Sequence, residues 1–316
     1  MSAAPAMKDV KFGLQLWPQR TSWAEARDAA LAAEAAGWDS VWTWDHLMAI
    51  QGPWQQPIFE GWMFLAGLAE ATNRVRLGLM VGANTFRNPG VTSKLATTLD
   101  HISNGRAILG IGGAWFEREH EAFGIEFGAT PGWRLDKLEE ALPLYRRLFD
   151  GELVTHEGPH YTFTDALCEP RPVQDHLPIL VGGSGLRKTL RSVARHADGW
   201  NTAGDIETVK GYLDVLAGHL ADAGRTMADL ELTISFPTII RDTVEAAQAA
   251  RDHQLEFNGI TDGGGGVPLL LGSPANVAET LQPYLALGFE TIIVRMPAPF
   301  DRETIDRMPE ILAKLA

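Results

Sequence analysis

The chain has 316 residues, 45% of them apolar and 21% charged, and a formal net charge of −13. That acidity disfavours nucleic acid and anionic membrane as partners, and no apolar run approaches the ~18 residues of a membrane span. Cys168 is the only cysteine, so no internal disulfide can form, which fits a reducing cytoplasm; the N-terminal MSAAPAMKDV lacks the apolar core of a signal peptide.

From the N-terminus, strand-like runs at 10–16, 40–44, 75–82, 107–111, 179–182, 199–202, 230–236 and 291–295 alternate with helical signals. Ser22 and Glu25 form a capping box before an alanine-rich helix that Gly37 stops. Asp205 caps a second helix, with Ile206, Val209, Tyr212, Leu213, Leu216 and Leu220 at helical spacing and Gly224 as its stop. Ser273-Pro274 opens a third, with proline at the first helical position, and Gly288 ends it. Eight strands interleaved with helices predict a (β/α)8 TIM barrel, one domain over residues 1–316; a doubly wound open sheet is the alternative. Two stretches break the alternation. Residues 150–175 carry Gly151, Gly158 and Pro159 between β-type residues and read as an inserted hairpin. Residues 258–273, with glycine at every position of 263–266, are too long for a plain connector and read as a lid or a surface loop.

In a barrel, chemistry collects at the C-terminal strand ends. The second strand ends in Trp44-Asp45-His46. His46 is the candidate proton donor or acceptor, with Asp45 beside it, although such a pair also serves purely structural hydrogen bonding. The fourth strand ends in Gly110, Gly112 and Gly113, followed by Trp115 and Phe116. Glycines there let a ligand approach the backbone, or simply make a tight turn. The pattern is not G-x-G-x-x-G, whose third glycine would fall at Trp115. The fifth strand ends in Val181-Gly182-Gly183-Ser184-Gly185, and Leu186 opens a helix. Free backbone N–H groups at a helix N-terminus suit a phosphate, and a plain turn is the alternative. It is not a P-loop, which needs glycine where Arg187 stands. Trp17, Trp44, Trp115 and Trp200 lie in or just after strands, as an aromatic substrate pocket or as core. Metal motifs are missing: His120 follows Glu117 and Glu119, but H-E-x-x-H is absent, as is G-x-S-x-G. An inventory this thin in nucleophiles and metal ligands points towards an organic cofactor.

Three stretches, AAEAAGWDSVWTWDHL, RVRLGLMVGANTFRNPGVTSKLATTLDHISNGRAILGIGGAWFEREHEAFG and PILVGGSGLRKTLRSVARHADGWN, together resemble the bacterial luciferase-like family of flavin and deazaflavin oxidoreductases. Within it the chain is most similar to the branch that uses the 8-hydroxy-5-deazaflavin coenzyme F-420. The resemblance spans nearly the whole chain. It implies a barrel with insertions and a ring lying in the barrel mouth. A non-prolyl cis peptide at Met80-Val81 would back the ring, and Gly112 and Gly113 would lie near it. His46 falls on the active-site histidine of deazaflavin members, and Asp45 on an acid near the ring. Gly182, Gly183, Ser184, Gly185 and Leu186 fall on the loop that holds the cofactor phosphate. There is one departure: a proton-donating glutamate of the sugar-phosphate dehydrogenases would fall at about Ala114, which leaves that activity without support. The resemblance thus implies hydride transfer between the ring C5 and a small organic substrate. The alternatives are an FMN-dependent monooxygenase supplied by a flavin reductase, and a non-catalytic flavin-binding protein. It also implies a homodimer through barrel helices, where Gly61 and Gly67 would permit close approach.

Overall fold

The computed structural model describes residues 10–261 and 267–315. The chain runs β1 (Lys11–Leu16), α1 (Trp23–Ala36), β2 (Ser40–Thr43), α2 (Gly61–Ala71), β3 (Arg76–Leu79), β4 (Gly82–Ala83) and α3 (Pro89–Ile102). Next come β5 (Ala107–Gly112), α4 (Glu117–Phe123), α5 (Pro131–Phe149), β6 (Val154–Glu157), β7 (Thr162–Ala166), β8 (Ile179–Gly182) and α6 (Thr189–His196). The last part holds β9 (Gly199–Thr202), α7 (Ile206–Asp222), β10 (Glu231–Ile240), α8 (Val244–Asn258), β11 (Leu270–Gly272), α9 (Pro274–Ala286), β12 (Thr291–Met296), α10 (Arg302–Arg307) and α11 (Leu312–Leu315).

Parallel pairing passes through β1, β2, β3, β5, β8, β9, β10 and β12, and β12 pairs with β1. The sheet closes, so the open-sheet alternative is excluded. The three caps expected from sequence are present. Ser22 and Glu25 bond reciprocally, Gly37 adopts φ 95°, Asp205 accepts from the Thr208 N–H, and Ser273 caps the helix whose first residue is Pro274. Residues 150–175 contain the antiparallel β6-β7 hairpin.

Three boundaries differ from expectation. The run 75–82 is two strands, because the Met80-Val81 peptide is cis and breaks the ladder between β3 and β4. β10 passes through Pro237 to Ile240, four residues beyond the expected end at Phe236. A proline donates no N–H and ordinarily demotes a strand; here Thr238 to Ile240 pair with β11, which sustains the extension. Residues 258–273 are not one loop: α8 ends at Asn258, and Leu270–Gly272 form β11. The glycines of 263–266 lie outside the described residues.

Alternate residues of each strand face the helices or the barrel interior. Outward, Leu14, Leu77, Leu109, Val181, Ile234 and Val294 are fully buried under the helical ring, each worth ~1.5–3 kcal/mol of apolar burial. Inward, Trp42, Ile108, Leu180 and Ile293 fill the middle of the barrel. Trp42 needs bare neighbours: a Cβ on Gly13 would lie 2.8 Å from its Nε1, and one on Gly78 would lie 2.6 Å from its ring. This plug is the floor of the cavity above it.

Candidate functional site

Two residues beyond the plug, the next inward positions stand at the C-terminal mouth, except on β5, where the cavity is lined by Gly112, four residues beyond Ile108. Together Gln15, Trp44, Met80, Gly112, Gly182, Asn201, Ser235 and Arg295 line one cavity of about 490 Å³. Their sequence spacing follows from the strand period of two.

Apart from Trp44, Asp45 and His46 after β2, the β2, β3, β5 and β8 side of the mouth is bare and apolar. The cis peptide presents Val81 into it. A Cβ on Gly112 would lie 2.8 Å from Val81 Cγ2, and one on Gly182 would lie 2.7 Å from Val81 Cγ1. A Cβ on Gly110 would lie 1.8 Å from the Leu79 carbonyl oxygen. These glycines therefore exist to admit the β3-β4 turn, and only through it to shape a ligand surface. Gly113 faces Leu135, whose Cδ2 would lie 2.8 Å from an added Cβ. Trp17 and Trp44 pack at 4.5 Å between ring centroids, and both indole N–H groups are buried without an acceptor among the described residues.

His46 sits at this rim among aromatic rings, edge-on to Trp44, Trp115 and Phe116 at 5.9, 5.7 and 6.1 Å. Its Nδ1 lies 2.8 Å from Glu119 Oε1, and Glu119 Oε2 accepts the Leu47 N–H at 2.8 Å. Glu119 comes from α4 and is 1% exposed. A carboxylate can only accept, so Nδ1 carries the hydrogen and Nε2 is the nitrogen left to the cavity. Asp45 also lines the cavity, but its carboxylate is taken: Arg87 donates at 2.7 and 3.0 Å and the Ala83 N–H at 3.1 Å. Arg87 also bonds Glu60 at 2.8 Å. Neighbouring His120 is fully buried, and desolvation holds it below the usual histidine range.

The β9, β10, β12 and β1 side is polar. The Asn201 amide donates to Thr233 Oγ1 at 2.8 Å and to Ser235 Oγ at 3.0 Å. The Gln15 amide donates to the Met80 carbonyl at 2.9 Å, tying this side to the cis peptide. Arg295 stands opposite Gln15 in the β1-β12 register.

The expected site residues divide accordingly. His46, Asp45, Met80, Val81, Gly112, Gly113, Gly182, Gly183, Trp17, Trp44 and Trp115 line the cavity; Ser184, Gly185 and Leu186 do not, and belong to the loop at its rim. That loop is anchored from behind, where the Gly183 N–H donates to Asn201 O at 3.1 Å and Gly183 adopts φ 118°. The N-terminal amides of α6 that follow it have no side-chain cap. Trp200 is a correction: it is fully buried in the outer core against Phe289 and Tyr212, facing away from the cavity. Its Nε1 donates to the Gly183 carbonyl at 2.7 Å, so it braces the loop. Gln15, Asn201, Ser235 and Arg295 carry no motif in the sequence, and Glu119 shows there only as a neighbour of His120. The available signal was a polar residue at an inward position of an otherwise apolar strand, as in KFGLQL and TIIVRM.

Among the described residues no three His, Cys, Asp or Glu side chains converge as a metal site, and no helix is long and apolar enough to cross a membrane. A flat conjugated ring fits this cavity. The Val81 bulge offers it a face, the bare glycines leave it room, and orphaned indole N–H groups and an unpaired guanidinium border it.

Comparison with known proteins agrees with this geometry. Over 350 aligned residues the chain is 34% identical to the F-420-dependent glucose-6-phosphate dehydrogenase of Microbacterium testaceum, covering 97% of both. It is also 34% identical over 164 residues to an uncharacterised protein of Mycobacterium tuberculosis, but that match spans only 57% of the relative's length. Among solved structures, an F-420-dependent secondary alcohol dehydrogenase in complex with an F-420-acetone adduct superposes with TM-score 0.82 at 20% identity, covering 97% of this chain and 99% of the other. The F-420-dependent tetrahydromethanopterin reductase of Methanopyrus kandleri superposes with TM-score 0.80 at 19% identity over the same shares. The luciferase-like monooxygenase profile matches residues 10–263. With the closed barrel, the cis peptide at its third strand and that match over most of its length, the chain belongs to the luciferase-like monooxygenase family.

Proposed function

We propose that the protein is a cytoplasmic oxidoreductase that moves hydride between C5 of coenzyme F-420 and a small organic molecule. In this reading residues 1–316 act as one barrel unit and pair as a homodimer. One observation carries it: a histidine oriented by a buried glutamate in the lining of the barrel-mouth cavity, in a chain with whole-length likeness to an F-420-dependent dehydrogenase. When bound, the coenzyme supplies the hydride centre.

The residues divide the remaining work. Val81, Met80, Gly112 and Gly182 hold the ring, and Gly113 borders it. The loop of Gly183, Ser184, Gly185 and Leu186, with the uncapped amides of α6, receives the phosphate. Trp17, Trp44 and Trp115 wall the substrate, and Trp115 is 61% exposed, at the entrance. Glu119 fixes the His46 tautomer so that Nε2 gives or takes the proton that accompanies hydride transfer. Asp45, paired with Arg87, holds the turn that carries Ala83 by accepting the Ala83 N–H. Ala114, at φ 63°, offers no carboxylate, which favours substrates other than sugar phosphates.

The test is titration of the purified protein with F-420 and with FMN, followed by fluorescence. F-420 should bind at least ~10-fold more tightly, a difference of about 1.4 kcal/mol. Tight FMN binding without F-420 binding would move the protein to the oxygen-using flavin monooxygenases. Binding of neither would overturn the cofactor assignment.

A further inference from the structure

Arg295 is the one charged group of the cavity wall whose charge meets no partner among the described residues. The other charges there are matched. Asp45 is paired with Arg87, and Glu119 with His46 and the Leu47 N–H. The chain carries 40 aspartates and glutamates, yet none lies within ion-pair distance of Arg295 among the described residues. Its position is inward, two residues beyond the plug residue Ile293 and level with Gln15. Ser235 on adjoining β10 and Asn201 on β9 are uncharged and bond each other, so neither neutralises it. A half-buried guanidinium without an anion is costly, and a site that keeps one matches a ligand that brings the anion.

We infer that the β9-β10-β12-β1 wall is an anion-receiving subsite, in which Arg295 takes a carboxylate or another ionised oxygen of the molecule bound in the cavity. This rests on reading the cavity as the reaction site. The oxygen has two possible sources, a substrate carboxylate or an ionised oxygen of the cofactor ring. Guanidinium geometry suits both, since it presents paired N–H donors in one plane. Burial pushes the Arg295 guanidinium down to about 10, which leaves it charged at neutral pH.

The experiment uses benzoate and its neutral isostere benzamide as probes, on wild type, Arg295→Gln, Arg295→Met and Arg295→Lys. Thermal shift without cofactor should show benzoate stabilising wild type more than benzamide does. Arg295→Gln should weaken benzoate about 10- to 100-fold, the usual scale of a lost charge-assisted pair, and Arg295→Lys should restore part of it. Without ligand, Arg295→Gln and Arg295→Met should melt no lower than wild type, because they remove an unmatched, half-buried charge. F-420 titration then separates the sources. Unchanged F-420 affinity in Arg295→Gln assigns the anion to the substrate, and a matching loss assigns it to the ring. The inference is overturned if benzoate has no advantage in wild type and F-420 affinity is unchanged in folded Arg295→Gln and Arg295→Met. It is equally overturned if both variants melt well below wild type while retaining the benzoate preference. Should wild type bind neither F-420 nor FMN, the cofactor reading fails, and the benzoate-benzamide contrast still reports on the wall.

Discussion

The two halves of the barrel mouth are built by opposite means. On the β2-β3-β5-β8 half, side chains are withheld from β5 and β8: Gly110, Gly112 and Gly182 stay bare so that the Leu79 carbonyl and the Val81 side chain can pack against them. On the β9-β10-β12-β1 half, side chains are supplied, namely Asn201, Ser235, Arg295 and Gln15. The first half sets shape and the second sets polarity. His46 stands at the rim of the shaped half, and its orientation comes from α4, outside either wall. The difference teaches that glycine at a strand end is no direct sign of ligand approach. Here it is first a sign of one backbone turn packing on another.

The comparison is tested most severely at His46. If proton handling belongs to the shaped half, His46→Ala should lower turnover by roughly 10²–10⁴. F-420 affinity should stay within a few-fold. The same change strips buried Glu119 of a partner, so the His46→Ala/Glu119→Gln double variant is the control. Turnover that recovers in the double variant would mean that the loss came from the orphaned carboxylate.

Asp45→Asn should act on stability rather than on rate. It breaks a buried pair with Arg87, and such a break costs about 3–5 kcal/mol. Denaturant unfolding should show the loss, with turnover per folded molecule nearly kept. A rate loss at unchanged stability would place Asp45 in direct contact with the reacting groups.

The glycines sharpen the picture further. Gly182→Ala should destabilise by about 1–3 kcal/mol, as overpacking does, and weaken F-420 through displacement of Val81. Gly110→Ala should be the more damaging of the two, since its Cβ would meet a backbone oxygen at 1.8 Å instead of a methyl group at 2.7 Å. Equal tolerance of both by melting temperature would break the argument that these glycines serve packing.

The smallest expected effect is at His120, behind the shaped half. It is held neutral by burial, with Nδ1 donating to the Phe116 carbonyl and Nε2 accepting from Thr85. Its folded pKa lies below its unfolded one, so acid protonates the unfolded chain first, and stability falls as pH drops below the usual histidine value. Melting temperature should therefore fall less steeply between about pH 7.5 and about pH 5.5 in His120→Asn than in wild type. An unchanged slope would remove His120 as the cause.

Some of this was legible in the chain. Strand and helix periods, the Ser22-Glu25 box, the Asp205 cap and the Ser273-Pro274 start are local, because they depend on residues within a turn or two of each other. They placed all eight barrel strands within a few residues and brought His46 to a strand end. The Met80-Val81 cis bond came from family likeness, since nothing local favours it. What only the tertiary structure decided is which distant residues meet. Glu119 lies 73 residues from His46, and Arg295 reaches Gln15 only because the last strand closes on the first. Trp200 looks in sequence like the other strand tryptophans, yet packing turned it outward to brace Gly183. Strand period fixes that alternate residues share a face, but which face is inside depends on closure of the whole sheet, a property no local window contains.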